Sequence, residues 1–214
     1  MTQKDKFDAL GAGEFYLAVG VGPHPEPWPN DERLDPELLA NGDRRNVLDE
    51  YRYWKLSAIV EDLEGKRNPL QIAIENWQHD LNIGSVVRTA NAFNVKAVHI
   101  VGKRDWNKRG AMVTDRYLTV VHHPTVEDFK IWCDDNSLPI IGIDNIDGSL
   151  PIENSKLPES CVLFFGQEGS GMSEAAVKVC KNIYAIKQYG STRSMNASAA
   201  GAIAMYAWAT QHLN

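Results

Sequence analysis

The sequence lacks the features that mark a membrane protein, an exported protein or a strongly basic nucleic-acid binder. No stretch approaches the roughly 18 to 20 consecutive apolar residues of a membrane span, and the N-terminus has no long apolar segment. The formal net charge is -6 and the isoelectric point is about 5.5. We therefore expect no membrane partner, and any nucleic-acid surface must be a local basic patch on an acidic chain.

Cysteine is also scarce, with three residues that form no CxxC pair: Cys133, Cys161 and Cys180. Cys161 opens an apolar run and Cys180 falls on a helical apolar stripe. Buried, reduced thiols are therefore expected rather than disulfides or zinc ligands, which favours a cytoplasmic protein. The adjacent histidines His122 and His123 lack the further ligands that a metal site needs, so we predict no metal.

The first third of the chain has little hydrophobic periodicity. Four prolines fall within the seven positions from Pro23 to Pro29, which blocks both helix and sheet. We predict an extended arm over residues 1–45, either lying over the rest of the protein or free of it; contact would be made by Phe15, Tyr16 and Trp28. A segment of mixed charge at residues 49–55 then leads into a helix ending near Gly65, and its arginines and aromatics either face solvent or touch RNA.

From Leu70 onward the pattern is that of an α/β domain. Short apolar runs rich in branched residues predict buried strands at residues 70–74, 97–101, 139–143 and 161–165, with a weaker one at 183–186. Helical patterns fall between and after them, at about residues 82–93, 125–136, 172–181 and 196–212. This alternation predicts a parallel sheet. We divide the chain into an N-terminal arm and helix, residues 1–69, and one domain, residues 70–214.

A polar turn and a helix follow the first predicted strand. Ile83, Val86, Val87 and Ala90 keep helical spacing, which places Arg88 nearly opposite that apolar stripe and outside the core. On this pattern alone Arg88 is an exposed arginine and Asn82 a helix cap. The alternative is that Asn76, Asn82 and Arg88 surround the carboxyl ends of the strands, where open α/β sheets bind their ligands.

A basic loop follows the second predicted strand, with four cations and one aromatic residue between positions 103 and 109. Such a loop is either simply solvated or suited to RNA, which proteins hold by phosphate pairing and base stacking. The candidate RNA-binding residues are Lys103, Arg104, Trp106, Lys108 and Arg109.

Two glycine-containing turns lie further along the chain. The first, residues 165–174, nearly matches a phosphate-binding Walker A loop, but Met172 occupies the lysine position, so hydrolysis of a nucleoside triphosphate is not expected. The second runs from a short strand at Ile186 through Gly190 into an alanine-rich helix. Its serine, arginine and asparagine side chains cluster where that helix begins.

Three of these stretches together resemble the SpoU (TrmH-like) branch of the SPOUT RNA methyltransferases over roughly residues 70 to 212. The resemblance to that family's motif 1 is carried by Asn76, Asn82, Gly84, Arg88, Thr89, Ala90 and Phe93. The glycine loop from Phe165 to Ser173 resembles motif 2. The resemblance to motif 3 is carried by Ile186, Gly190, Ser194, Met195, Asn196 and Ser198. Lys187 and Gln188 depart from this pattern, because the family usually has Pro-Met there.

The resemblance implies a parallel-sheet SPOUT fold with a deep C-terminal trefoil knot, an exception to the rule of unknotted chains. Small side chains in the last helix, such as those around Gly201, would let other backbone segments pass close to it. The resemblance also implies a homodimer formed through the knotted domain.

The implied reaction is transfer of a methyl group from S-adenosylmethionine to a ribose 2'-hydroxyl of tRNA or rRNA, with no metal. The implied catalytic group is Arg88, and the residues that would orient it and the ribose are Asn82, Glu168, Ser194 and Asn196. The implied cofactor-binding residues are Gly166, Ile186 and Met195, with Gly169 and Gln188 as additions. Two alternatives are an RNA-binding protein of the same fold without catalysis and a nucleotide-phosphate-binding domain.

Overall fold

The computed structural model describes residues 20–77 and 82–213. Its centre is a seven-stranded sheet in which every strand pairs in parallel, in the order β3-β2-β1-β6-β4-β7-β5. The strands are β1 Asn68–Asn76, β2 Val95–Gly102, β3 Val120–His123, β4 Ile140–Ile143, β5 Leu150–Pro151, β6 Val162–Phe165 and β7 Asn182–Ala185. The prediction of an α/β domain with a parallel sheet is confirmed.

The described residues form six α-helices, of which the last five were predicted. They are α1 Pro36–Asn41, α2 Leu56–Glu64, α3 Asn82–Ala92, α4 Val126–Asp135, α5 Glu174–Val179 and α6 Ala197–His212. Helix α5 is shorter than the predicted 172–181. The Ser173 side chain caps its first turn by accepting from the amide of Ala176, and at Cys180 the backbone turns to an extended conformation.

Both strands that the sequence did not reveal, β3 and β5, lie at edges of the sheet. Strand β3 contains His122 and His123, and three of its four residues are only half-buried. Strand β5 is two exposed residues long. An edge strand is covered less than a central one, so neither segment needs the continuous apolar run by which buried strands are recognised.

The two faces of the sheet carry separate apolar clusters because successive side chains of a strand point to opposite sides. On one face Ile72 and Ile74 of β1 lie in a cluster with residues of α3 and α6, including the fully buried Trp208. On the other face Ala73 lies in a cluster with Phe129 of α4 and residues of α5. The sheet is therefore covered by helices on both sides.

The chain divides into two compact units between Asp62 and Leu63. Pro69 and Asn68, assigned by sequence to the N-terminal segment, lie in β1 of the second unit. The first unit contains α1 at residues 36–41, where an extended arm was predicted; Asp35 caps this helix and Pro36 occupies its first turn, where proline is tolerated. Of the arm's predicted contacts, Phe15 and Tyr16 lie outside the described residues.

Candidate functional site

A cavity of about 600 Å³ lies outside the carboxyl ends of β4, β6 and β7. Its walls are the glycine loop after β6 and the segment between β7 and α6. All five residues predicted to hold a cofactor and three of those predicted to act in catalysis line it: Gly166, Gly169, Ile186, Gln188, Met195, Glu168, Ser194 and Asn196. Asn82 and Arg88 do not line this cavity.

Three polar side chains from different elements meet beside the cavity. The Asn196 Nδ2 donates to Asn82 Oδ1 at 2.8 Å and to Glu168 Oε1 at 3.2 Å, and Asn82 Nδ2 donates to the other Glu168 oxygen. These residues come from the start of α3, the glycine loop and the start of α6. We call Asn82, Glu168 and Asn196 the amide-carboxylate triad; it joins the three motif stretches in space.

Asn196 holds its place in the triad because it also caps α6. Its Oδ1 accepts hydrogen bonds from the backbone amides of Ser198 at 2.9 Å and Ala199 at 3.3 Å. The side-chain oxygen of Asn196 therefore caps the helix, and its side-chain nitrogen donates the hydrogen bonds of the triad. The sequence indicated this cap, since asparagine is favoured where a helix begins.

The glycine loop folds back on itself at Gly166. A Cβ atom at this position would lie 2.1 Å from the Gly171 carbonyl carbon and 2.2 Å from the Met172 nitrogen, so any larger residue would collide with the loop's own backbone. Asp144, at the end of β4, holds the returning segment by accepting from the Met172 amide at 2.7 Å. The requirement for glycine at 166 is thus imposed by the loop itself.

The segment between β7 and α6 is held by two side-chain amides that donate to the same carbonyl. Gln188 Nε2 lies 3.2 Å from the Arg193 oxygen, and Asn145 Nδ2 lies 3.0 Å from it. Gln188, one of the two departures from the family pattern, therefore has a structural role in shaping the cavity wall. Lys187 is exposed, with its Nζ 5.2 Å from the centre of the Tyr189 ring.

Arg88 lies on the exposed side of α3, as its position opposite the apolar stripe predicted. Within residues 20–77 and 82–213, its guanidinium makes no hydrogen bond or ion pair, so its charge is available to a ligand. It does not line the cavity of its own chain.

The basic loop presents four of its five predicted RNA-binding side chains to solvent: Lys103, Arg104, Lys108 and Arg109. Trp106 differs from them, because its indole is half-buried and packs against the apolar cluster of α3 and α6. The Lys108 Nζ lies 5.5 Å from the indole centre and 3.1 Å from an Asp115 carboxylate oxygen. The charged groups of the loop are therefore more accessible to a ligand than its aromatic ring.

Sequence reasoning did not single out Asp144 and Asn145, which also line the cavity, as does Arg193, the arginine of the turn before α6. Asp144 and Asn145 directly follow β4, and the rule that ligands bind at the carboxyl ends of parallel strands could have identified them. The Arg193 carbonyl could not have been identified in this way, because its role depends on contacts made across the fold.

Neither cysteine nor histidine lines the cavity in the part of the chain that the structure describes. Burial raises the pKa of the Cys133, Cys161 and Cys180 thiols to about 12, so they are held protonated. His99 and His123 instead form a buried pair, with 2.9 Å between His99 Nδ1 and His123 Nε2. Over the described ranges no group of three His, Cys, Asp or Glu residues is placed to hold a metal ion, and no helix is long and apolar enough to cross a bilayer.

A parallel sheet covered by helices on both sides, with a cavity at its carboxyl edge, defines a ligand-binding α/β domain. The particular kind is given by its sequence: residues 69–206 match the SpoU rRNA Methylase family. The chain belongs to this family, which confirms the resemblance drawn from the three motifs.

Named relatives share this domain at low identity. The chain is 26% identical over 161 residues to an uncharacterized tRNA/rRNA methyltransferase of Synechocystis, covering 73% of this chain and 42% of that protein. It is 27% identical over 157 residues to the 23S rRNA (guanosine-2'-O-)-methyltransferase RlmB of Neisseria meningitidis, covering 67% of this chain and 58% of that protein. The chain thus spans about half the length of these two relatives.

A solved structure has a similar fold. The SpoU methyltransferase AviRb of Streptomyces viridochromogenes, in complex with the cofactor AdoMet, superposes with a TM-score of 0.62 at 22% identity. The likeness covers 70% of this chain and 60% of that one. At this identity it establishes the fold of the domain.

Proposed function

We propose that this protein is an S-adenosylmethionine-dependent methyltransferase that modifies a ribose 2'-hydroxyl of tRNA or rRNA. The observation that carries the proposal is the amide-carboxylate triad, which gathers Asn82, Glu168 and Asn196 at the rim of one cavity. Membership of the SpoU family supports it, and so does the similarity to RlmB, which is named as a 23S rRNA (guanosine-2'-O-)-methyltransferase.

The cavity fits the proposed cofactor in size and chemistry. Its volume of about 600 Å³ falls within the roughly 300 to 1,000 Å³ of small-molecule sites. Ile186 and Met195 provide apolar walls for an adenine ring, and the Glu168 carboxylate provides negative charge for a sulfonium. A Cβ atom at Gly169 would meet nothing within 4 Å, so this stretch of loop leaves room for a ligand.

When bound, S-adenosylmethionine would supply a methyl group on a positively charged sulfur. Its transfer to the ribose 2'-oxygen would leave neutral S-adenosylhomocysteine and release the hydroxyl proton to solvent. We assign Arg88 the role of stabilising the negative charge that develops on this oxygen. A guanidinium has no lone pair available as a base at neutral pH, so electrostatic stabilisation suits it better than proton removal. Ser194 and the triad would orient the ribose, and such positioning can account for much of the rate.

Two further features belong to the proposal, a homodimer and a C-terminal knot. Arg88 does not line its own chain's cavity, which favours its action at the cavity of a second copy. Helix α6 exposes Ile203 and Tyr206, which are 41% and 64% exposed and suit an interface between copies. The knot rests on the family resemblance and on the small side chains of α6, which would let other backbone segments pass close to it.

The proposal is tested in two stages, the first without RNA. S-adenosylhomocysteine should bind the purified protein with micromolar affinity by calorimetry. A Gly166→Val variant should lose that binding, because the added carbons collide with the loop backbone. Light scattering of the same sample should give the mass of a dimer.

The second stage measures transfer of labelled methyl groups to bulk tRNA and rRNA taken from cells that lack the protein. Nuclease digestion should place the label on a ribose 2'-oxygen. Cofactor binding without transfer to either RNA pool would contradict the proposed activity and favour an RNA-binding protein that lacks catalysis. Label on a base would contradict the proposed 2'-O position.

A further inference from the structure

Two adjacent side chains at the carboxyl end of β1, Glu75 and Asn76, are fully buried, and the proposed reaction uses neither of them. Neighbouring side chains of a strand point to opposite faces of a sheet, so the two reach in opposite directions. Each one makes hydrogen bonds to a different loop of the candidate site.

Glu75 holds the end of the glycine loop. One carboxylate oxygen accepts from the Ser173 backbone amide at 2.8 Å, and the other accepts from the Trp77 indole nitrogen at 2.7 Å. The preceding amide, that of Met172, donates to Asp144 at the end of β4. Because β6 lies between β1 and β4 in the sheet, the loop that follows it is fastened to both neighbouring strands.

A buried carboxylate is unfavourable unless N–H groups satisfy it. The Glu75 side chain is 0% exposed, so it is stable in this position while Ser173 and Trp77 direct their N–H groups at it. This requirement restricts the glycine loop to the conformation that forms the cavity wall. Glu75 therefore acts on the cavity through Ser173, without lining it.

Asn76 holds the start of the basic loop. Its Nδ2 donates to the carbonyls of Lys103 at 2.7 Å and Asp105 at 2.9 Å, and its backbone oxygen accepts from the Lys103 amide at 2.8 Å. The far end of the loop packs closely on α3, where a Cβ atom at Gly84 would lie 2.8 Å from the Ala111 nitrogen. Both ends of the loop are thereby fixed, and its charged side chains extend from a rigid base.

We propose that Glu75 and Asn76 are paired positioning residues: from one strand, Glu75 sets the glycine loop for the cofactor and Asn76 sets the basic loop for RNA. The hydrogen bonds that support this inference are observed in the structure and do not depend on the proposed function. The ligands assigned to the two loops rest on the proposed function.

Two substitutions of matched size test the pair. In Glu75→Gln an NH₂ group replaces one carboxylate oxygen and opposes the N–H of either Ser173 or Trp77. In Asn76→Asp an oxygen replaces the NH₂ group and opposes the two carbonyl oxygens of Lys103 and Asp105. Each variant alters one side chain without changing its volume, so each serves as the control for the other.

We expect each variant to weaken the binding of one ligand and to spare the other. Glu75→Gln should weaken S-adenosylhomocysteine binding by about tenfold, a loss of about 1.4 kcal/mol, and leave bulk tRNA binding within about twofold. Asn76→Asp should weaken tRNA binding by about tenfold and leave S-adenosylhomocysteine binding within about twofold. In methyl transfer, the KM for the corresponding substrate should rise more than kcat falls. Equal loss of both ligands in both variants would overturn the proposal, because β1 would then act only as general support.

Hydrogen exchange tests the positioning without any ligand. Amide exchange should rise at Met172 and Ser173 in Glu75→Gln and at residues 103–105 in Asn76→Asp, with the other loop unchanged in each case. Unaltered exchange, or a uniform rise in both loops, would overturn the proposal. If the unmodified protein bound neither probe, the proposed function would fail, and this exchange pattern alone would decide whether Glu75 and Asn76 position the loops.

Discussion

The glycine loop and the basic loop leave the same edge of one sheet but are built in opposite ways. The glycine loop is held along its returning segment, where the amides of Met172 and Ser173 donate to carboxylates from two strands. It also packs on itself so closely that Gly166 has no room for a side chain. The basic loop is held at its ends, and its cations lie in solvent.

This difference suits two kinds of ligand. A fixed backbone can select a small molecule by shape, whereas exposed cations attract a polyanion over a wide range of orientations.

The distribution of charge along the chain makes the basic loop more important for attracting RNA. Residues 1–62 contain 7 basic and 13 acidic residues, whereas residues 63–214 contain 15 of each. The second unit therefore has no net charge to attract RNA, and attraction must come from a local patch.

The largest expected effect separates catalysis from cofactor binding at Arg88. Arg88→Ala should abolish turnover, a fall of at least about a thousandfold, because it removes the charge assigned to stabilise the attacking oxygen. The affinity for S-adenosylhomocysteine should stay within about twofold, since Arg88 does not line the cavity. Methyl transfer and calorimetry on one preparation measure both quantities.

The matched control for Arg88 is Arg44→Ala, which removes an exposed arginine from the first unit. It should leave turnover nearly unchanged. If Arg88→Ala kept near-normal turnover, Arg88 would have no part in the mechanism.

The next effect concerns the exposed charge of the basic loop. The double variant Lys103→Glu and Arg104→Glu should weaken binding of bulk tRNA by about tenfold or more at about 0.1 M salt. It should also reduce the slope of log affinity against log salt by about 0.7 to 0.9 for each phosphate that the loop no longer neutralises. The glycine loop is not altered by this change, so the affinity for S-adenosylhomocysteine should remain the same.

The control for this variant is Lys178→Glu with Lys181→Glu, which makes the same change in net charge at two exposed positions near α5. This control should have a much smaller effect on tRNA binding. Equal weakening by both double variants would mean that net charge, rather than the basic loop, governs RNA binding.

Substitutions of Trp106 test whether its indole stabilises the fold or stacks on RNA bases. Because its half-buried indole packs on the core, Trp106→Ala should lower the free energy of unfolding by about 2 to 3 kcal/mol in urea titrations. Trp106→Phe, which keeps an aromatic ring in the cluster, should lose less. A tenfold loss of tRNA affinity at unchanged stability would instead identify Trp106 as a base-stacking residue.

Much of the sheet and its helices could be predicted from the sequence. The central strands contain continuous apolar runs because both faces of the sheet are covered, and α3 showed its buried stripe through the spacing of Ile83, Val86 and Val87. Helix α1 was not predicted, because a six-residue helix beginning at Pro36 has too few turns to show periodicity. It depends on its Asp35 cap and on neighbours within its own unit.

For the candidate site, the sequence located the residues around the cavity but not the contacts that hold them there. Glu168 and Asn196 could be found through motif spacing, although their hydrogen bond joins residues 28 positions apart. Gln188 departs from the family pattern, and its hydrogen bond to the Arg193 carbonyl depends on the folded conformation of this segment. The sequence therefore could not reveal it. Local patterns show which residues are near a turn; they do not show which backbone groups need a partner.

The last expected effect concerns stability in acid and arises from two buried histidines, His99 on β2 and His123 on β3. His99 donates or accepts at both ring nitrogens, with Gln71 Oε1 at 2.8 Å from Nε2 and His123 at 2.9 Å from Nδ1. Burial, with a smaller contribution from His123, lowers the pKa of His99 to about 3. Burial and nearby His122 also lower the pKa of His123, although the Asp128 carboxylate opposes this.

An unfolded His99 takes up a proton near its ordinary pKa of about 6.5, whereas the folded one stays neutral down to about pH 3. The unfolded chain therefore binds more protons across this window, and the free energy of unfolding must fall as the pH falls. Between about pH 7 and pH 5 the loss attributable to His99 should be about 2 kcal/mol, measured by urea titration at each pH. A His99→Gln variant should flatten this dependence, while Arg88→Ala should keep it; a dependence unchanged in His99→Gln would assign the acid sensitivity to other groups.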